Sequence, residues 1–315
     1  MAPAASRTNS LAFAEEFCVV PLSLDCRTNP FRVHTNRIAK FSFLLHAILA
    51  VSSQHLAKKN HNSSLNIEMH RHSSTALKLF SKALIYSDIV SLLETILVIV
   101  NLETSQTASS TWSIHLNGAQ GLLERDSAVE SHVGNSRMVA QIAIVVWWDV
   151  TIAFISRREP SFPMSYLDML ATQDTGESWS FIVLNGCPIE FVIAMTRLAK
   201  LAAIYTKTTR MDWTIFNTFP VEVIIDEVKD YVNQEKVDID HPGNLDEDPN
   251  ARRNRFHCIE AWRHAILLYA YRVFAPNQEE AKLRLISHLA RVVLDSVRCI
   301  PREDTLRSSY CYPYF

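Results

Sequence analysis

The chain has 315 residues, 48% of them hydrophobic and 20% charged, and 31 Lys and Arg nearly balance 33 Asp and Glu to a formal charge of −2. Such a chain is not wholly disordered, has core enough for one or two domains, and carries no global field that would draw it onto phosphate. Only six glycines occur, and glycine is what tight hairpins and phosphate loops need, so composition points to a helical protein without a nucleotide-cradling loop.

Residues 1–35 read as an N-terminal extension, with Glu15-Glu16 standing where a signal peptide would place its apolar stretch. From Asn36 to Lys59, Ile38, Phe41, Leu44, Leu45, Ile48, Leu49 and Leu56 recur at steps of three and four and predict a helix buried along one face. A second helix, 66–86, puts Ala76, Leu77, Phe80, Ala83 and Leu84 on a stripe and leaves His70, Arg71, Lys78 and Lys82 to solvent. The third, 88–103, has an apolar arc wide enough for burial on two sides.

Ser and Thr at 104–111 supply N-cap candidates for a fourth helix, 111–125. It contains Gly118 and Gly121. Each costs about 1 kcal/mol against Ala, which predicts another backbone close by. Asn135 to Ser156 is nearly all apolar at its centre and is the candidate for the central buried helix. Its apolar run, ended by Asp149, falls short of the ~18 residues of a spanning segment, so no membrane association is expected.

Between Arg157 and Gly186 the periodicity dissolves into a long crossover anchored by Trp179 and Phe181. It returns at 188–205 and 220–235, and again at 251–274 and 277–299 beyond an acidic linker, Asp238 to Pro249. The result is an all-α fold, an irregular bundle of about nine stacked, mostly antiparallel helices. No second core is detected.

Chemical motifs were tested in turn. Asp226-Glu-Val-Lys-Asp230 places acids at i and i+4 on one helical face, the near match to the magnesium-diphosphate motif of an all-α terpene synthase. Its partner motif is missing downstream, and Lys229 closes the face. His70 and His72 point about 200° apart on a helix and read as solvent residues, not metal ligands. His55 with Cys18, or His257 with Cys258, would pair only through an unsupported tertiary contact. Gly-x-Ser-x-Gly is absent. The runs Arg157-Arg158 and Arg252-Arg253-x-Arg255 lack interleaved aromatic platforms. Cys18, Cys26, Cys187, Cys258, Cys299 and Cys311 show no Cys-x-x-Cys spacing and suit reduced thiols of cytosol or nucleus. No catalytic, cofactor-binding or metal-binding residue is assigned.

One family likeness remains. Trp112-Ser-Ile-His115-Leu116-Asn-Gly118-Ala119-Gln-Gly-Leu122-Leu123 resembles the "W-x-x-H-L-x-G-A-x-x-L-L" segment of the fungal-specific transcription factor domain. Four further segments are similar in order: Phe43-Leu-Leu-His46-Ala47-Ile-Leu-Ala50, Trp147-Trp148-Asp149-Val150 running to Arg158-Glu159-Pro160, Asn185-Gly186-Cys187-Pro188, and Trp262-Arg-His-Ala265-Ile266-Leu267-Leu268-Tyr269-x-Tyr271-Arg272. The resemblance spans roughly residues 37 to 315 and assigns 36–315 to that regulatory domain.

The resemblance implies a nuclear transcription regulator, expected to act on a gene set such as a secondary-metabolite cluster. Trp112, Trp148 and Trp262 are expected in the core, His115 as a hydrogen-bonded buried histidine, and Asp149 as the partner of a base such as Arg157 or as a helix cap. The family's six-cysteine, two-zinc DNA-binding cluster has no counterpart in these residues, and no direct specific DNA binding is expected. A homo- or hetero-dimeric protein partner, reached through surfaces such as helix 88–103, and a small-molecule effector are expected instead. Tyr312-Pro313-Tyr314-Phe315 matches a stretch that starts further helices in the family, so the domain is expected to lack its last helices. The competing expectation is a terpene-synthase-like enzyme or binder that keeps only the scaffold.

Overall fold

A helix forms wherever the sequence carries a 3.6-residue apolar repeat, and the computed structural model contains twelve helices and no strand among the described residues. Those residues are 18–19, 22, 26, 28–33, 35–104, 106, 112–125, 135–174, 179–209, 215–233, 249–274 and 280–301. The sequence features at Glu15-Glu16, 107–111, 238–248, 277–279 and 302–315 lie outside them, as does the Trp112 side chain. The described residues form two compact units, one within Met1–Val145 and Thr175–Ser180, the other within Val146–Asp174 and Phe181–Arg307.

The first unit holds α1 (Thr35–Lys40), α2 (Ser42–Asn60), α3 (Ser64–Ala83), α4 (Ile89–Thr104) and α5 (Trp112–Arg125). The predicted helix 36–59 is two helices, broken at Phe41, whose backbone is extended (φ −116°, ψ 99°). The single buried face expected for it is also corrected: every residue from Ala47 to Gln54 is buried, because α3 lies along one side and α4 along another. α2 closes with His61 in the left-handed region (φ 49°), whose N–H returns to the Ala57 carbonyl. The three residues between α2 and α3 turn the chain back on itself.

α3 buries only Met69, Ala76 and Ala83, seven residues apart, so a narrow seam faces its neighbours. α4 opens with Asp88 accepting the Ser91 N–H at 3.0 Å, an N-cap to the third helical residue. Residues 91–102 of α4 are all buried, so its wide apolar arc is covered within the chain and is not the pairing surface expected of it. The N-terminal segment is built in as well, with Cys18, Leu22 and Phe31 at 1% exposure or less.

α6 (Ser136–Ser156) contributes its first ten residues to the first unit and the rest to the second. It is long and apolar enough to cross a membrane by length and composition, although 78% of its most apolar window is buried inside the protein. That burial accounts for its composition.

In the second unit, the predicted crossover contains two short helices, α7 (Met164–Gln173) and α8 (Phe181–Asn185), followed by α9 (Ile189–Thr208), α10 (Phe219–Asp230), α11 (Pro249–Phe274) and α12 (Glu280–Cys299). Both short helices are too brief for a periodic pattern to show. α9 packs on α7, α10 and α11, and α12 packs along α11. α12 is the most two-sided helix: Leu289 and Ser296 are buried while Leu283, Leu285 and Leu294 remain exposed.

Candidate functional site

Glu94 sits among apolar neighbours on α4, where an unpaired carboxylate would cost several kcal/mol. Its side chain has no solvent exposure. Arg37 of α1 donates from Nε to Oε2 at 2.9 Å, and Arg137 of α6 donates from Nε and Nη2 to Oε1 at 3.2 and 3.0 Å. Arg137 also donates to the carbonyls of Asn29 and Pro30. Arg37 reaches Asp88 and the Ser91 hydroxyl as well. Burial pushes the Asp88 carboxyl up, yet the bonds from Ser91 and the Arg37 charge outweigh it and hold the group below its ordinary value. Two cations and two anions thus tie α1, α4, α6 and the Asn29-Pro30 segment together. The sequence signal is the acid at 94 inside an apolar run, which demands bases nearby.

On α2 and α3, His46 Nδ1 and His72 Nδ1 lie 2.8 Å apart. Both rings are half-buried. Burial lowers both pKa values, and the Arg71 charge lowers them further. His72 is therefore not the solvent residue expected from its helical position; only His70 is exposed.

The remaining motif residues serve as scaffold. His115 Nε2 meets Glu103 Oε1 at 3.1 Å, joining α5 to the end of α4, while Leu116, Ala119, Leu122 and Leu123 are buried. Gly118 and Gly121 face open space, and a Cβ at either would meet nothing within 4 Å. The close backbone approach expected there is absent, because the glycines lie on the outer side of α5.

In the second unit Trp147 and Trp262 meet edge to face at 5.1 Å, whereas Trp148 is half-buried. Asp149 Oδ2 accepts the Phe162 N–H at 2.9 Å, just ahead of α7. Burial raises its pKa against the bonds from Phe162 and Ser161 and the charge of Arg158. Gly186 adopts φ 67°, a conformation that favours glycine, and its carbonyl accepts the Cys258 thiol at 2.9 Å. Burial, with Cys258 beside it, pushes the Cys187 thiol well above its ordinary value, which does not suit a nucleophile. Arg263 donates to the Tyr231 and Lys229 carbonyls at the end of α10, where a cation is favoured.

Asp226 on the exposed side of α10 pairs with Lys229 at 3.1 Å. Among the described residues, no three His, Cys, Asp or Glu side chains assemble as a metal-holding group. At the N-terminus Cys18 is buried and its backbone carbonyl accepts the Asn29 side-chain N–H at 3.0 Å. A cleft of about 490 Å³ opens where α2 begins, lined by Phe41, Phe43, Tyr86, Lys40 and Asp88. Asp88 is already committed to Arg37 and Ser91.

The paired titratable groups of this all-helical scaffold hold its helices together. The chain matches the fungal specific transcription factor domain over residues 13–315 and belongs to that family. No curated protein and no solved structure matches it. Membership makes it a domain of a transcription regulator, and the family is in general nuclear.

Proposed function

We propose that this chain is the effector part of a nuclear fungal regulator that controls a gene set such as a secondary-metabolite cluster and reaches promoters through a partner protein, a second copy or another regulator. The observation that carries this reading is the family match over nearly the whole chain. It is supported by the sequence, whose charge of −2 and scattered cysteines supply neither a phosphate-gripping arm nor a zinc cluster. A small-molecule effector is part of the same proposal. Catalysis is not.

Fusing the chain to an unrelated DNA-binding domain and measuring a reporter tests the effector role: a change in transcription is expected, and none at equal nuclear abundance overturns it. A mobility shift across salt concentrations tests the indirect route, since specific binding by the chain alone contradicts it. The enzyme reading is favoured instead if purified protein turns over a prenyl diphosphate with magnesium.

A further inference from the structure

Two histidines that meet nitrogen to nitrogen must divide their protons, because one Nδ1 donates and the other accepts. At His46 and His72 the ring centroids are 5.1 Å apart while the Nδ1 atoms are 2.8 Å apart. The difference equals the two ring radii, so both nitrogens lie on the line between the centroids. Lone pairs converging on a common metal would bring the centroids closer than this for the same nitrogen separation. The geometry is that of a single straight N–H···N hydrogen bond.

That bond spans two helices that also meet at Met69, Ala76 and Ala83 and through the edge contact of Phe43 with Phe80, centroids 6.1 Å apart. One added proton preserves the bond but places a cation in a half-buried position beside Arg71. A second puts two N–H groups head to head. The charged groups that bear on the pair are Arg71 and Glu68, both on α3, with none from α1 or α4 among the described residues. Arg71 opposes protonation at both rings, and Glu68 favours it at His72 alone.

We propose that the His46–His72 bond is an acid-sensitive latch, closing the α2–α3 hairpin while the pair shares one Nδ1 proton and releasing α3 when both Nδ1 atoms are protonated. Burial and Arg71 set the release below the ordinary imidazole range of about 6.5. The latch stands on this contact alone and holds whatever the regulator's targets are.

The test uses the full chain. Long-range nitrogen–proton spectra of 15N-histidine protein at neutral pH should show one of the two rings protonated at Nδ1 and the other at Nε2; two rings both protonated at Nε2 alone overturn the proposal. Amide exchange, corrected for its intrinsic pH dependence, should show protection of α3 falling as pH drops, by up to about tenfold per pH unit for each proton taken up on release, while α9 and α11 hold theirs. The His46→Gln and His72→Gln variants should lose that selective fall. A fall shared equally by α9 and α11, or one that persists in both variants, contradicts the latch.

Discussion

Arg137 clamps Glu94 from one side with two guanidinium nitrogens at 3.2 and 3.0 Å, and its remaining N–H groups hold the carbonyls of Asn29 and Pro30. The same side chain therefore neutralises a fully enclosed carboxylate and fastens the chain that leads into α1.

Removing one member of such a cluster leaves a buried charge under-compensated. Arg137→Met is expected to destabilise the fold by about 3 kcal/mol in urea denaturation. The double variant Glu94→Gln/Arg137→Met should cost less than the sum of the two single changes. Strict additivity would mean that the two side chains do not interact.

Gly118 and Gly121 give the opposite prediction. Neither φ is positive, and added methyl groups would meet open space. Gly118→Ala and Gly121→Ala should each stabilise the protein by about 0.5–1 kcal/mol through helix propensity and a less flexible unfolded chain. A loss of stability would reveal a neighbour over α5.

Asp149 carries a pH dependence whose sign follows from its raised folded pKa. A carboxyl that holds its proton more readily folded than unfolded lends stability at low pH and loses it as pH rises through the folded pKa. Asp149→Asn can still accept the Phe162 N–H but cannot ionise. Denaturation over about pH 4 to 7 should show the variant gaining on the native protein as pH rises. A constant difference would contradict the burial of this charge.

Tyr269 stacks on Phe154 with centroids 3.8 Å apart, and its buried hydroxyl has no hydrogen-bond partner among the described residues. Burial pushes its pKa up to about 12, against the charge of Arg157. Tyr269→Phe keeps the stack and removes the unsatisfied oxygen, so stability should be unchanged or higher by up to about 1 kcal/mol. Spectrophotometric titration should show one alkaline phenolate signal missing from the variant.

The helices were legible because each long one carries a repeat that local chemistry alone imposes, and α6 stood out as a core helix by composition. Short helices were not. α7 and α8 are held by Asp149 and Asp174 accepting the N–H groups of Phe162 and Phe181, contacts made across 13 and 7 residues that no periodicity announces. The motif residues could be read as a family signature, but only in part for what they touch: of the two roles expected for Asp149, base partner or helix cap, it takes the backbone N–H of Phe162 just ahead of α7.

By itself the sequence determined the all-α class, the burial of α6 and the likeness to the family, because apolar spacing, glycine scarcity and motif order are properties of the chain. Tertiary structure alone decided that Glu94 meets Arg37 and Arg137, that His72 turns from solvent to His46, and that Gly118 and Gly121 face outward. Those outcomes depend on which helix lies beside which. Contacts between residues 26, 43 or 57 positions apart are fixed by packing, and packing leaves no local trace in residue order.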